Sequence, residues 1–330
     1  MKEKILSLPS PFGGNLEIYK NIWGKSTEPL SIVSGIQGDH LNGLFLNSCL
    51  TQFLDTVVEG IDPHYKLTGQ VQTFPFVNVN ALQSGSRLWS LDDMDMNLAF
   101  PGNLEGETSE AIASTILEHT KDSFWGLILT SAQPHYEDAP HVQIHKSNSR
   151  TKKICQDLQM KIGRKQTMSS TQKVSLYHQW QEQEISSVLI SAGSPRTINP
   201  KQCEILFHGI VNFMKVEGIL KDNRHNKTIN KIKTRIYKSD EEISVQTSAA
   251  GMFLKEVKVG NQLEKGQKIG EVLDLYSGKR LEVITSPEDG FLITLRQYPI
   301  VYEKEPIAII LSAKDSWQKM GYALKSIVKR

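Results

Sequence analysis

The stretch that most constrains this chain is Leu30–Gly43, LSIVSGIQGDHLNG. A largely apolar run (Leu30 to Val33) ends in Ser34-Gly35, a tight turn follows, and helical spacing begins just after His40. An apolar run too short for a helix, closed by a Gly turn and followed by an amphipathic segment, is a β-strand feeding an α-helix. In an open α/β sheet the polar side chains of such a turn stand where ligands bind, beyond the carboxyl ends of the strands.

The pattern recurs. Leu41 to Val58 has helical spacing, with Leu44, Phe45, Cys49, Phe53, Leu54 and Val57 assigned to one face. Val71 to Val79 is β-rich, and a polar connection follows over 78–102. Thr108 to His119 is helical, Phe124 to Leu129 is a short bounded apolar run, and Lys152 to Ile162 is helical. Ser187 to Ile190 is a further buried strand. Pro200 to Leu220 is a helix begun after Asn199, with Ile205, Ile210, Phe213 and Met214 inward. The polar, weakly patterned segment 163–183 is expected as a mobile loop or insertion. Short buried strands alternating with helices predict an α/β fold, its mostly parallel or mixed sheet covered by helices on both faces. Residues 1–29 are assigned to an N-terminal extension with strand character near Leu16 to Tyr19.

The composition changes at 221–233, a basic polar linker. From 234 to 312 alternating β patterning is punctuated by turns at Gly260-Asn261, Gly266, Ser277-Gly278 and Asp289-Gly290, as in a small barrel or sandwich. A short basic helix is expected over 316–328. The domains are therefore drawn at 1–29, 30–225, 226–312 and 313–330. At 330 residues with a net charge of +2, the chain has no like-charge block to suit nucleic acid. Three separated cysteines (Cys49, Cys155, Cys203) do not make a disulfide framework. No apolar run reaches the ~18 residues of a membrane span. The expectation is a cytoplasmic protein without nucleic-acid or membrane partners.

Several motifs in order resemble the succinylglutamate desuccinylase/aspartoacylase family, zinc deacylases on the carboxypeptidase fold. Gly35 to Gly43 resembles the family's G-x-H-G-[ND]-E-x-x-G. Phe76 to Arg87 resembles its Val-Asn-Val followed by Ser-Arg, and Asp95 to Gly102 resembles D-L-N-R-x-F-P-G. Gly126 to Ala132, Ala139 to His145 and Val188 to Ser194 stand in the places of its later strand motifs. AAGMFLKEVKVGNQLEKGQKIGEV and SPEDGFL resemble its C-terminal β-domain, an all-β barrel-sandwich. The resemblance covers residues 30 to 312 and implies the zinc-carboxypeptidase-like fold.

In the family, two His and a Glu hold zinc, which lowers the pKa of a bound water towards ~7, and a second Glu takes the water's proton. Arginines hold the substrate carboxylate. Carried over residue by residue, the first His is Gln37, the Glu is His40 and the second His is Thr130. The general base falls on Ser191, and two arginines fall on Leu98 and Gln143. Asp39, Asn78, Arg87, Asp95, Asn97, the turn Phe100 to Gly102, and Gly35, Gly38, Gly43 and Gly193 match. An amide, one imidazole and a hydroxyl are a weak donor set for zinc, and a lone serine hydroxyl does not titrate near neutrality. The expectation is loss of zinc-dependent amide hydrolysis, no cofactor, and a binding or partner role. Asn78, Arg87 and Asn97 are the ligand-binding candidates. The resemblance points to a small acylated amino acid or peptide end as ligand, and to an active paralogue or a homo-oligomer as partner.

Two enzymatic alternatives stand beside this. His135, His141 and His145, with Glu137 and Asp138, crowd one stretch and offer a relocated metal site for a divergent deacylase using zinc. Ser191 or Ser131 beside His40 offers a serine nucleophile with a base. In the β-domain, Lys279 lies near the modified-lysine place of lipoyl and biotinyl carriers, a third alternative.

Overall fold

The computed structural model describes residues 1–10, 13–167, 171–224 and 232–313. The chain divides into two units, the first comprising 1–133 and 140–236, the second 134–139 and the residues from 237 onward. The first unit begins with strands β1 (Lys2–Pro9), β2 (Asn15–Trp23) and β3 (Leu30–Val33), then helix α1 (Leu41–Val58). Strands β4 (Tyr65–Leu67) and β5 (Val71–Phe74) follow, then α2 (Val79–Gln83), α3 (Thr108–Thr120) and β6 (Trp125–Thr130). Next come β7 (Tyr136–Ile144, its residues up to Ala139 falling in the second unit), α4 (Ser149–Asp157), β8 (Ile162–Lys165), α5 (Leu176–Glu182), β9 (Ser186–Gly193), α6 (Pro200–Val216) and β10 (Leu220–Asp222).

Within this unit the sheet order is β1-β2-β5-β3-β6-β9-β7, with β8 parallel to β7. Strands β5, β3, β6 and β9 are parallel, Leu30 facing Val71 and Trp125, and Thr130 facing Ser191. Each of these strands is buried on both faces. Trp125, Leu127 and Leu129 pack with Leu46, Leu50, Leu54, Leu206 and Phe213, whereas Ile128 joins Ile112, Ile116, Leu176 and Trp180 on the other face. Gly126 lets Trp180 lie flat on the strand, since a Cβ there would come within 2.4 Å of the indole. A near-continuous apolar strand is what a parallel sheet between two helix layers requires.

Several local expectations are revised. Residues 1–29 are not a mere extension. They form an antiparallel ribbon, β1 on β2, and Asn21 to Trp23 add it to the sheet through β5. Segment 163–183 holds β8 and α5, and Leu176, Tyr177 and Trp180 are buried core; its polar composition hid three apolar residues at helical spacing. On α6 the inward residue is Leu206, not Ile205, which is 52% exposed. On α1 the buried stripe runs through Leu46, Leu50, Leu54 and Val57. Phe45, Cys49 and Phe53 instead line a groove of about 510 Å³ with Cys203 and Phe207. Residues 134–139 belong to the second unit, and the boundary expected at 225/226 falls at 236/237.

The second unit is antiparallel. Its strands are β11 (Arg235–Lys238, which carries the boundary), β12 (Glu242–Gln246), β13 (Gly251–Lys255), β14 (Gln262–Leu263), β15 (Lys268–Leu273) and β16 (Arg280–Thr285), followed by β17 (Gly290–Arg296), β18 (Ile300–Val301) and β19 (Pro306–Ser312). One sheet runs β16-β15-β13-β18, and β12, β19, β17 and β14 pair in a second ladder. Phe253, Ile269, Val272, Leu292, Ile307 and Ile310 form its core. Lys279 is exposed in the β15–β16 turn, which Asp274 closes by accepting from the Tyr276 and Ser277 N–H groups. The helix expected over 316–328 lies outside the described residues. Among the described residues no helix is long and apolar enough to cross a membrane.

Candidate functional site

At the carboxyl ends of β3, β5, β6 and β9 the chain makes turns that gather polar side chains. Ser34 N–H donates to the Phe74 carbonyl and Asn78 N–H to that of Gly35, at 2.7 Å. This ties the β3 turn to the chain leaving β5. Gly38 packs against α2 so closely that a Cβ would sit 2.4 Å from the Ala81 backbone. Gly193 has φ +74° and leaves no room for a Cβ beside the Asn42 amide, at 2.5 Å. These contacts hold 35–43 in one conformation and bring Asp39 and His40 beneath Arg87, Asp95 and Thr130.

His40 precedes α1, but its side chain does not cap the helix. The ring is buried and turned to the strand end. Its Nδ1 lies 2.9 Å from Thr130 Oγ1, and its Nε2 lies 3.1 Å from Arg87 Nη1. A guanidinium only donates, so Nε2 accepts from Arg87, and Nδ1 carries the proton and donates to the Thr130 hydroxyl. Burial, reinforced by the positive charge of Arg87, holds the imidazole pKa down to about 3, so the ring is neutral.

Around this pair, Arg87 Nη2 lies 3.6 Å from Asp95 Oδ2. Gln37 Nε2 donates to Asp95 Oδ1 at 3.2 Å, and the same oxygen accepts the Asn97 N–H. Asp39 is buried, and among the described residues its Oδ1 has no hydrogen-bond partner; His40 Nε2 lies 3.7 Å from it. Burial pushes the Asp39 carboxyl up from its ordinary range, against the pull of Arg87 and Arg196. Ser131 N–H also points at His40 Nδ1, at 3.3 Å.

Zinc needs lone pairs that face it. The only imidazole here has one nitrogen bonded to a cation's N–H and the other to a hydroxyl, while Gln37 supplies an amide already donating to Asp95. These residues do not fit the metal. Among the described residues no cluster of three His, Cys, Asp or Glu is placed to hold an ion. The histidines of the relocated site are not gathered. His135 belongs to the second unit and stacks on Tyr298, whereas His141 contacts the Gln143 amide at 3.1 Å. His145 Nδ1 donates to the Gln166 carbonyl and its ring packs on Tyr177. Alternation along a strand puts such residues on one face without bringing their nitrogens to one point.

The serine alternatives fare no better. Ser191 is fully buried in β9 opposite Thr130. The hydroxyl that does reach His40 is Thr130's, but an imidazole whose pKa is about 3 is too weak a base to take its proton. Asn78, expected to face a ligand, holds the backbone instead: its side chain accepts from Ala81 N–H and donates to the Ile36 carbonyl. Asn97 lies half-buried in the 3-10 turn Met96–Leu98. Arg87 is the expected binding residue that stands in the cluster. Asn42 escaped notice in the sequence, yet its amide ties the start of α1 to two loops by donating to Ser131 Oγ and the Ser194 carbonyl and accepting from Asn199 N–H. The signal was an Asn at the first turn of a helix, which alone says nothing of distant partners.

No family model matches the chain, and no curated protein matches it. Solved structures do. A succinylglutamate desuccinylase/aspartoacylase from Rhodobacter sphaeroides superposes with a TM-score of 0.74 at 19% identity, over 94% of this chain and 95% of that one. The product-bound ectoine utilization protein EutE (DoeB) from Ruegeria pomeroyi gives 0.74 at 17% identity over 94% of each chain. An aspartoacylase family protein from Mesorhizobium loti gives 0.74 at 18% identity over 95% of each. At these identities the likeness is one of fold.

Proposed function

We propose that this chain uses a deacylase fold to bind a small carboxylate-bearing ligand, an acylated amino acid or a peptide end, without zinc-dependent hydrolysis. The observation that carries the reading is the His40 imidazole. Both of its nitrogens are bonded within the protein, Nε2 to the Arg87 guanidinium and Nδ1 to the Thr130 hydroxyl. A protein cation thus lies against the imidazole lone pair that a zinc site would require to be free. Arg87, only part-buried, is the group for the ligand's carboxylate, since its fork matches that anion bidentately. Asn97 and Gln37 line the same turn. In this reading the second unit is the family's barrel-sandwich domain, and the chain works as a homo-oligomer or beside an active paralogue in the cytoplasm.

The test measures metal content and hydrolysis of N-acetyl amino acids after purification without chelator. The expected result is no stoichiometric metal and no turnover. Restoring the donors together (Gln37→His, His40→Glu, Thr130→His) is expected to bring stoichiometric zinc. Stoichiometric zinc in the unaltered protein, lost in His40→Ala, overturns the reading.

A further inference from the structure

Two details of the cluster do not suit the hydrogen bonds it makes. With Arg87 donating to Nε2, the His40 proton sits on Nδ1, yet the Ser131 N–H also points at Nδ1 from 3.3 Å, so two donors face each other. On the other side, the buried Asp39 Oδ1 accepts no hydrogen bond among the described residues and lies 3.7 Å from Nε2. A buried acceptor left unmade is costly. One rearrangement removes both misfits. If Arg87 withdraws, the proton belongs on Nε2, pointing at Asp39 Oδ1, and Nδ1 becomes an acceptor for the Ser131 N–H and for the Thr130 hydroxyl, which turns from acceptor to donor.

Resting on the metal-free binding cleft proposed above, we infer that Asp39 is a positioning residue for His40 and that Arg87 is a latch: a carboxylate that draws Arg87 off Nε2 moves the imidazole proton from Nδ1 to Nε2. The ring loses one proton at Nδ1 and gains one at Nε2, both exchanged with water admitted as Arg87 withdraws, so its charge is unchanged. The ligand's negative charge is balanced by the guanidinium it captures. Asp39 loses the pull of the Arg87 guanidinium, keeps that of Arg196, and gains the imidazole N–H. Arg87 keeps 18% of its side chain exposed, against 3% and 2% for His40 and Asp39, so the ligand touches the latch and the buried pair reports it.

The experiment is ring-nitrogen NMR of protein labelled with 15N-histidine, the His40 signals being those lost in His40→Gln. In the free protein Nδ1 is expected to show the protonated, pyrrole-type shift and Nε2 the pyridine-type shift. Titrating acetate is expected to exchange the two assignments saturably, and Arg87→Met to exchange them without acetate. Asp39→Ala is expected to leave the free tautomer as it was and to weaken acetate binding by about tenfold or more, the worth of one charge-assisted hydrogen bond. An acetate titration that leaves the shifts in place overturns the coupling to an anion, a measurement that needs no variant. Arg87→Met keeping its proton on Nδ1 overturns the role given to Asp39. A His40 signal shifted by chelator is a different failure, since it overturns the metal-free reading and not the latch alone.

Discussion

Asn42 and Asp39 stand three residues apart at the same strand-to-helix turn, both buried, with opposite hydrogen-bond economies. The Asn42 amide is satisfied by Ser131, Ser194 and Asn199, and Gly193 lies against it with no space for a methyl group. Asp39 keeps an oxygen without a partner, and its neighbour His40 faces one N–H more than its tautomer accommodates. A closed network fixes loops, because every change to it strands a polar group in low dielectric. An incomplete one is a place where a second arrangement of the same side chains is close in energy. The first region is scaffold, and the second is where a ligand can change something.

The sharpest way to break this contrast is Asn42→Ala. Stranding the Asn199 N–H and the Ser194 carbonyl is expected to cost about 2–4 kcal/mol, read as a lowered denaturant midpoint at unchanged slope. An effect within ~0.5 kcal/mol would remove the distinction between the regions. Arg87→Met is expected to do the reverse, with little loss of stability but a loss of carboxylate binding exceeding tenfold, about 1.5–3 kcal/mol for a charged hydrogen bond, measured by calorimetry with an N-acetyl amino acid.

The pH dependence sharpens the contrast further. His40 titrates near 6.5 in the unfolded chain and about 3 when folded. Between those values the unfolded state binds the extra proton. The stability conferred by the neutral ring is therefore complete above 6.5 and is lost as pH falls towards about 3, at up to ~1.4 kcal/mol per pH unit. Denaturation of His40→Gln across this window is expected to be flatter than that of the unaltered protein by that slope. The smallest effect is expected of Asp39→Asn. The folded Asp39 carboxyl is raised, so its contribution is fully present below about 3.8 and is lost as pH rises through the folded value. Asn at this position is therefore expected to raise the midpoint at pH 7 and to lose that advantage in acid.

Much of the α/β layer was legible because its signals are local. The apolar runs at Leu30 to Val33 and Phe124 to Leu129 correspond to β3 and β6, and the spacing after His40 to α1. The turn after β3 does gather polar side chains: the His40 ring meets the Thr130 hydroxyl, and Gln37 reaches Asp95. What escaped was partnership. His141 and His145 alternate as a ligand pair would, yet their nitrogens go to Gln143 and Gln166. Asn78 was expected to face a ligand, but its side chain holds backbone. Segment 163–183 looked featureless because the burial of Leu176, Tyr177 and Trp180 is created by β6 and α3, far away in sequence.

From its sequence alone this chain determines its strands, helices and turns, and the chemistry of the groups delivered to the strand ends: an amide, an imidazole and a hydroxyl. Those are matters of periodicity and residue type, which short segments carry by themselves. Only the tertiary structure decides that Arg87, 47 residues from His40, donates to its Nε2, that Thr130 takes its Nδ1 proton, and that Asp39 is left with an empty oxygen. Hydrogen-bond partners are set by distances of about 3 Å between distant segments, and only packing brings those segments so close.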